Sequence, residues 1–225
     1  AEFCMRAQKE LDDLYRANRS AIVVGGTGLY IRALFEEYGD LKPAPDAELR
    51  SHLTERLRTE GLDALVAELL SREPQSKETV DLKNPVRVTR ALERTLDRRP
   101  SIKVALPPFR RMKLGLSADI SVLNERIEAR TRSMVQNGWV QEVKRLLDEG
   151  YGPGDPGFEA IGYTELARYL EGRTDLEGAV ATTIAETRRY AKRQRTWLRS
   201  EPNLTDLDSN DPDMVSVAVG LIESL

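Results

Sequence analysis

The sequence predicts an α/β protein, mostly helical in these residues, interrupted by an all-helical insertion. Three observations carry the prediction. Ala21-Ile-Val-Val-Gly-Gly-Thr-Gly-Leu-Tyr30 reads as a short β-branched strand, a glycine loop and the start of a helix. Met112 to Leu116 reads as a second strand. Between boundary signals near 42 and 112 only helical patterns occur. The expected division is a first part of the core at 1–41, a helical insertion at 42–112 and a second part of the core at 113–225. Two strands are too few for an α/β sheet, so further strands are expected from outside these residues.

Taken in order, residues 1–17 read as a helix with Phe3, Ala7, Leu11 and Leu14 on one side. Residues 21–24 are the first strand, Gly25 to Gly28 the loop, and Leu29 to Phe35 the next helix. The segment 39–48, GDLKPAPDAE, is a proline-punctuated linker. Asp46 can cap the helix that follows through Leu53 and Leu57, and another helix covers about 62–70. Asn84-Pro85 is a strong helix start, with Asn as cap and Pro at the first helical position. That helix directs Val88, Ala91, Leu92 and Leu96 inward and stops at Arg98-Arg99-Pro100. After the second strand a long helix begins near Ile120 and carries Leu123, Ile127 and Met134. Val140, Val143 and Leu147 continue a helical pattern to Gly150. GYGPGDPG at 150–157 is a loop, and helices fill about 162–171, 175–200 and 212–224.

Composition narrows the class. The chain has 225 residues, 32% of them charged, and a net charge of −3, so any attraction to nucleic acid must come from local patches. No apolar run approaches the roughly 20 residues of a membrane span, and no signal-peptide pattern opens the chain. One cysteine, Cys4, excludes an internal disulfide and a cysteine zinc cluster. A cytoplasmic monomer is the expectation.

Several segments could carry chemistry. Gly25, Gly26, Thr27 and Gly28 set backbone N–H groups and a hydroxyl at a helix N-terminus, which suits an anion or serves as a plain tight turn. Arg130 borders the stripe Leu123, Ile127, Met134, with Arg126 one turn earlier. Two guanidinium forks suit a diphosphate, or else a neighbouring carboxylate. The helix at 184–199 places Arg188, Lys192, Arg195 and Arg199 in one stripe, with Tyr190 and Trp197 nearby and Glu186 its lone acid. That pattern suits a nucleic-acid backbone with a stacked base, the bland reading being a solvated face. Arg87, Arg90 and Arg94 form a shorter basic stripe, read as a plain solvated face. Phe158 to Glu165 joins the glycine loop to a helix, and Gly162 could permit a close backbone approach.

In this order, the segments VGGTGLYIRAL (24–34), NPVRVTRALE (84–93), RIEAR with Met134 and Gly138 (126–138), AIGYTE (160–165) and AKRQRTWLR (191–199) resemble the tRNA dimethylallyltransferase, or isopentenylpyrophosphate transferase, family. The resemblance spans most of residues 1–200. It implies a core like that of P-loop nucleoside-triphosphate kinases, with a helical insertion and nucleotide-binding ancestry. It implies transfer of a dimethylallyl group from dimethylallyl diphosphate to N6 of the adenosine 3′ of the tRNA anticodon. Mg²⁺ assists diphosphate departure, and the base is flipped out to react. Carried over by motif, Thr27 lines the channel near the target amine. Arg130 holds the diphosphate, with Arg126 and the loop residues Gly25 and Gly26 beside it. The anticodon stem-loop would meet Pro85, Val86, Arg87, Val88 and Thr89; Ala160, Ile161, Gly162 and Tyr163; and Ala191, Lys192, Arg193, Gln194, Arg195, Thr196, Trp197 and Leu198.

The sequence departs from the family pattern in one respect. No GxxxxGK[ST] phosphate loop occurs in these residues, and no strand carries the Asp that serves the family as base. The expectation is therefore an N-terminally truncated form that is inactive alone. Three other readings stay open: a prenyltransferase of free adenine nucleotides, a non-catalytic RNA-binding module, and a fragment of a small-molecule kinase. The long basic stripe disfavours the first, because a mononucleotide does not need it.

Overall fold

The structure, a computed structural model, describes residues 2–36, 46–97, 99–100 and 103–225. It comprises two units, Ala1–Phe109 and Arg110–Leu225. The linker expected at 39–48 lies outside the described residues as far as residue 45, as does Arg98.

The first unit is helical throughout its regular elements: α1 (Glu2–Arg16), α2 (Gly28–Phe35), α3 (Ala47–Glu60), α4 (Leu62–Arg72), the short α5 (Ser76–Thr79) and α6 (Pro85–Leu96). Local chemistry sets the starts. The Asp46 carboxylate accepts from the N–H groups of Glu48 (2.9 Å) and Leu49 (3.1 Å), satisfying donors the first turn of α3 leaves over. Gly61, at φ +82°, supplies the left-handed conformation that separates α3 from α4. The Asn84 side chain accepts from the N–H groups of Val86 and Arg87 ahead of Pro85. The amphipathic faces of α3, α4 and α6 then close on Leu53, Leu65, Leu69, Val88, Ala91 and Leu92. Each buried leucine contributes roughly 1.5–3 kcal/mol. Helices α1 and α2 pack together, burying Cys4 and Leu11 on one and Ala33 and Leu34 on the other. Burial pushes the Cys4 thiol up.

One expected element is absent here. Ala21 to Val24 do not form a strand, and Ile22 and Val24 are 84% and 88% exposed. A strand is held by its ladder partners, whatever its β-branched content. Among the described residues the only ladder lies in the other unit.

The second unit runs β1 (Lys113–Ser117), α7 (Ile120–Gln136), α8 (Trp139–Asp148), a single 3₁₀ turn at Pro156–Glu159, α9 (Tyr163–Leu170), α10 (Leu176–Arg199), β2 (Leu204–Asp208) and α11 (Met214–Glu223). β1 and β2 pair in parallel, Lys113 opposite Leu204 and Ser117 opposite Asp208. A parallel pair requires a crossover, and α7 to α10 provide it. Gly115 suits the pairing, because a Cβ there would lie 2.7 Å from Leu204 Cδ2. The core between α8, α9 and α10 consists of Trp139, Val143, Phe158, Leu166, Ala167 and Ala179. Ile127, Val180 and Ile184 join α7 to α10. The carboxylate of Glu201, fully enclosed, pairs with Lys113, tying the chain just past α10 to the start of β1. Among the described residues no helix is long and apolar enough to cross a membrane.

Candidate functional site

In the first unit, Gly25, Gly26 and Thr27 are exposed, and Gly28 is buried at the start of α2. Thr27 caps that helix with extended backbone (φ −98°, ψ 92°). Its carbonyl accepts from Tyr30 N (2.9 Å), while its side chain makes no capping bond. The Tyr30 ring stacks on Phe3 at 5.1 Å between centroids, which anchors the first turn of α2. The loop thus presents glycine backbone and a threonine at a helix N-terminus, where the dipole and leftover N–H groups favour an anion.

On α6, Pro85, Val86 and Arg87 are exposed and Thr89 is half-buried. Val88 is a correction to the expected RNA contacts. It is fully enclosed in the helical core, so its side chain has no surface to offer.

In the second unit, α7 carries Arg126, Arg130 and Arg132, and the three differ sharply. Arg126 Nη2 donates to Asn210 Oδ1 (2.7 Å), and Nη1 to Ser209 Oγ (3.4 Å), just past the end of β2. Arg132 donates to both oxygens of Glu177 (3.0 and 2.7 Å) and to Glu128 (3.3 Å). These bonds hold the guanidinium charged and pull the Glu177 carboxyl below its usual range. Arg130 is exposed and makes no ion pair or hydrogen bond among the described residues. It does not border the buried face as its spacing suggested. Ile127 and Thr131 occupy that face, and Arg130 points away from it. An exposed guanidinium without a carboxylate partner among the described residues is suited to an anionic ligand.

The α10 stripe is only partly a free face. Arg188 donates to Glu128 of α7 (3.3 Å), a partner outside its own helix. Arg189 pairs with Glu186. Arg193 lies over the Tyr190 ring at 5.6 Å, a cation–π contact. Lys192 and Arg199 are exposed, with no partner among the described residues, and Thr196 is exposed beside them. Gln194, Arg195, Trp197 and Leu198 are half-buried. Ala191 packs against the cluster of Ile127, Val180 and Ile184. The charge of Arg195 reaches Asp119, whose carboxyl is lowered first by its bonds to Ser121 and to a lesser extent by that charge.

The turn before α9 is built around Gly162, at φ +101°. A Cβ there would lie 2.1 Å from Trp139 Cη2, 2.5 Å from Cζ2 and 3.1 Å from Thr183 Cγ2. Glu165 turns back to accept from the Gly162 N–H (2.9 Å). Tyr163 donates to Glu142 (2.8 Å), which raises the phenol's affinity for its proton. Ala160 is exposed and Ile161 half-buried, so this loop shows its backbone and small side chains on a surface that Trp139 supports from below.

The first unit thus carries glycine backbone at a helix end, and the second an unpaired arginine among the described residues and a basic helix with aromatic neighbours. The comparisons narrow these features to a family. The family model described as IPP transferase matches residues 1–201. The tRNA dimethylallyltransferase 2 of Syntrophus aciditrophicus is 38% identical over 209 residues, 90% of this chain and 67% of that protein. The tRNA dimethylallyltransferase of Heliobacterium modesticaldum is 35% identical over 230 residues, 99% of this chain and 72% of that protein. The solved tRNA isopentenylpyrophosphate transferase of Bacillus halodurans superposes with a TM-score of 0.65 at 31% identity, covering 99% of this chain and 71% of that one. The solved tRNA delta(2)-isopentenylpyrophosphate transferase of Staphylococcus epidermidis gives 0.64 at 25% identity, covering 100% of this chain and 76% of that one. The chain belongs to the IPP transferase family and spans roughly two thirds to three quarters of the relatives named.

Proposed function

We propose that this protein transfers the dimethylallyl group of dimethylallyl diphosphate to N6 of the adenosine 3′ of the anticodon in tRNA. The observation that carries this reading is Arg130. It is left without a partner on a helix whose other two arginines are engaged, inside a motif of a tRNA-prenylating family. In the reaction, the bond between the allylic carbon and the diphosphate oxygen breaks. A carbon–nitrogen bond to the adenine amine forms, and the amine releases a proton. Negative charge grows on the departing diphosphate, where a guanidinium fork is best matched to the oxygens. Arg130 fills that role. In the first unit, the exposed loop at Gly25 and Gly26 lies at the N-terminal end of α2, whose dipole favours the same kind of charge, and Thr27 orients the amine. Arg126, one turn before Arg130 on α7, is the second guanidinium for the diphosphate and in this structure donates to Ser209 and Asn210. Residues 42–112 read as the helical insertion, and β1 and β2 as strands of a kinase-like core.

For the anticodon stem-loop, the second unit offers Lys192, Arg193 and Thr196 on α10 and the Ala160 to Tyr163 turn, and the first unit separately offers Pro85 to Arg87 on α6. No group of His, Cys, Asp or Glu able to hold a metal occurs among the described residues. They therefore offer no carboxylate cage for the Mg²⁺ that the family implies, a cation that usually binds through substrate phosphates and water. The test of substrate class is filter binding of an unmodified tRNA transcript in competition with AMP. Retention of tRNA with no displacement by AMP supports the reading. Displacement by AMP at micromolar concentration assigns the protein to free adenine nucleotides instead.

A further inference from the structure

We propose that Glu128 of α7 is an intramolecular competitor of RNA phosphate for Arg188, and that it thereby limits how strongly α10 holds a polyanion. The inference rests on the reading of this protein as a tRNA-binding enzyme, and it concerns a residue that weakens the grip on RNA. It starts from how charge is shared between α7 and α10. Arg132 is satisfied by Glu177, which accepts from two of its guanidinium nitrogens at 3.0 and 2.7 Å. Glu128 stands one turn before Arg132 and divides its oxygens. Oε1 accepts from Arg132 at 3.3 Å, and Oε2 from Arg188 at 3.3 Å. Because Arg132 already has a better-placed acid, the charge of Glu128 is left for Arg188. Among the described residues, the other contact of Arg188 is to the Asn124 carbonyl, at 3.5 Å.

The pair is built to exchange. The Arg188 and Glu128 side chains are 41% and 44% exposed, and at 3.3 Å they form a loose contact with which water and salt compete. A phosphate competes better, since two of its oxygens match the guanidinium fork. Arg188 lies one turn before Lys192, in the stripe that Arg199 ends, and those two residues have no partner among the described residues. Arg188 is therefore a member of the stripe whose charge is already matched by a bonded carboxylate. A phosphate docking there must displace Glu128 first. The phosphodiester backbone carries no sequence information, so the restraint applies to any RNA. The fold does not depend on it: the bonds between Arg132 and Glu177 and the seam of Ile127, Val180 and Ile184 hold α7 on α10 without Glu128.

The experiment measures binding of an unmodified tRNA transcript and of poly(U), from low to moderate salt. Four proteins are compared: wild type, Glu128→Gln, Glu128→Gln with Arg188→Gln, and Glu125→Gln. Glu125 is an exposed acid on the same helix with no arginine partner among the described residues, so its replacement makes the same charge change without freeing a guanidinium. For Glu128→Gln the expected result is a log–log salt slope steeper by about 1, the weight of one further phosphate contact. Both RNAs should bind several-fold more tightly, with the melting curve unchanged. A purely structural pair would not give tighter binding when broken. Glu125→Gln should keep the wild-type slope, and adding Arg188→Gln should abolish the gain. A wild-type slope or weaker binding in Glu128→Gln, an equal gain in Glu125→Gln, or a gain that survives loss of Arg188 overturns this proposal and leaves the functional reading standing. Absence of salt-dependent tRNA binding by the wild type overturns both.

Discussion

Replacing Gly162 by alanine adds one methyl group and tests how the turn before α9 is built. Two penalties combine. The backbone sits at φ +101°, a conformation that costs an L-residue roughly 1–2 kcal/mol. The new Cβ would stand 2.1 Å from Trp139 Cη2, well inside van der Waals contact. Trp139 is 6% exposed and packed among Val143, Phe158 and Leu166, so its rigid ring has little room to withdraw. Overpacking of this kind costs about 1–3 kcal/mol. The sum is about 2–5 kcal/mol, equivalent to a fall in melting temperature on the order of 10–20 °C for a unit of this size. Tryptophan fluorescence is the appropriate assay, because the chain has two tryptophans, Trp139 and Trp197, and both lie in the second unit. Gly154→Ala is the control, since a Cβ there meets nothing within 4 Å. A Gly162→Ala protein within 0.5 kcal/mol of wild type would refute the account of this turn.

Three further outcomes are expected. Arg130→Ala should lower kcat/KM for dimethylallyl diphosphate by roughly 10²–10³, as loss of a donor to developing charge does, with the melting curve unchanged; steady-state kinetics checks this, and unchanged efficiency removes Arg130 from the site. Thr27→Ala should reduce turnover by roughly threefold to tenfold, the weight of one neutral hydrogen bond, and an unchanged kcat would discount its hydroxyl. The bonds from Arg56 hold the Glu68 and Glu60 carboxyls below their usual range. A depressed carboxyl contributes stability above its unfolded value, and that contribution disappears as pH falls through the native value. Glu68→Gln should therefore cost less than about 1 kcal/mol at neutral pH and flatten the acid side of the helical melting profile. An acid profile identical to wild type would show that the pair does not contribute.

Some of this structure could be read directly from the residues. Asn84-Pro85 started α6 as its capping chemistry requires, and the inward set Val88, Ala91 and Leu92 forms the core of that cluster. The glycine at 162 announced a close approach, but only the fold identifies Trp139 as the group approached. Ala21 to Val24 carried strand propensity without a ladder partner among the described residues, and propensity alone does not make a strand. β2 is illegible in the sequence for the opposite reason. Its Leu-Thr-Asp-Leu-Asp sequence is rich in a strand-poor residue, and the pairing with β1 supplies what propensity does not. The basic stripe on α10 seemed unbalanced because Glu128, the partner of Arg188, lies on α7 sixty positions away in sequence. The same effect separates Arg126, Arg130 and Arg132, which look alike in sequence and are sorted only by their neighbours in space. The engagement of Arg126 with Asn210 and Ser209 could not be anticipated from helix periodicity.

The central claim is tested most directly by supplying the protein with isotopically labelled dimethylallyl diphosphate, unmodified tRNA and AMP together, and locating the label by nucleoside analysis. The account predicts label on N6 of the adenosine 3′ of the anticodon, none on AMP, and a large loss of transfer in the Arg130→Ala protein. Label on AMP, or transfer to tRNA that is unaffected by Arg130→Ala, would contradict it.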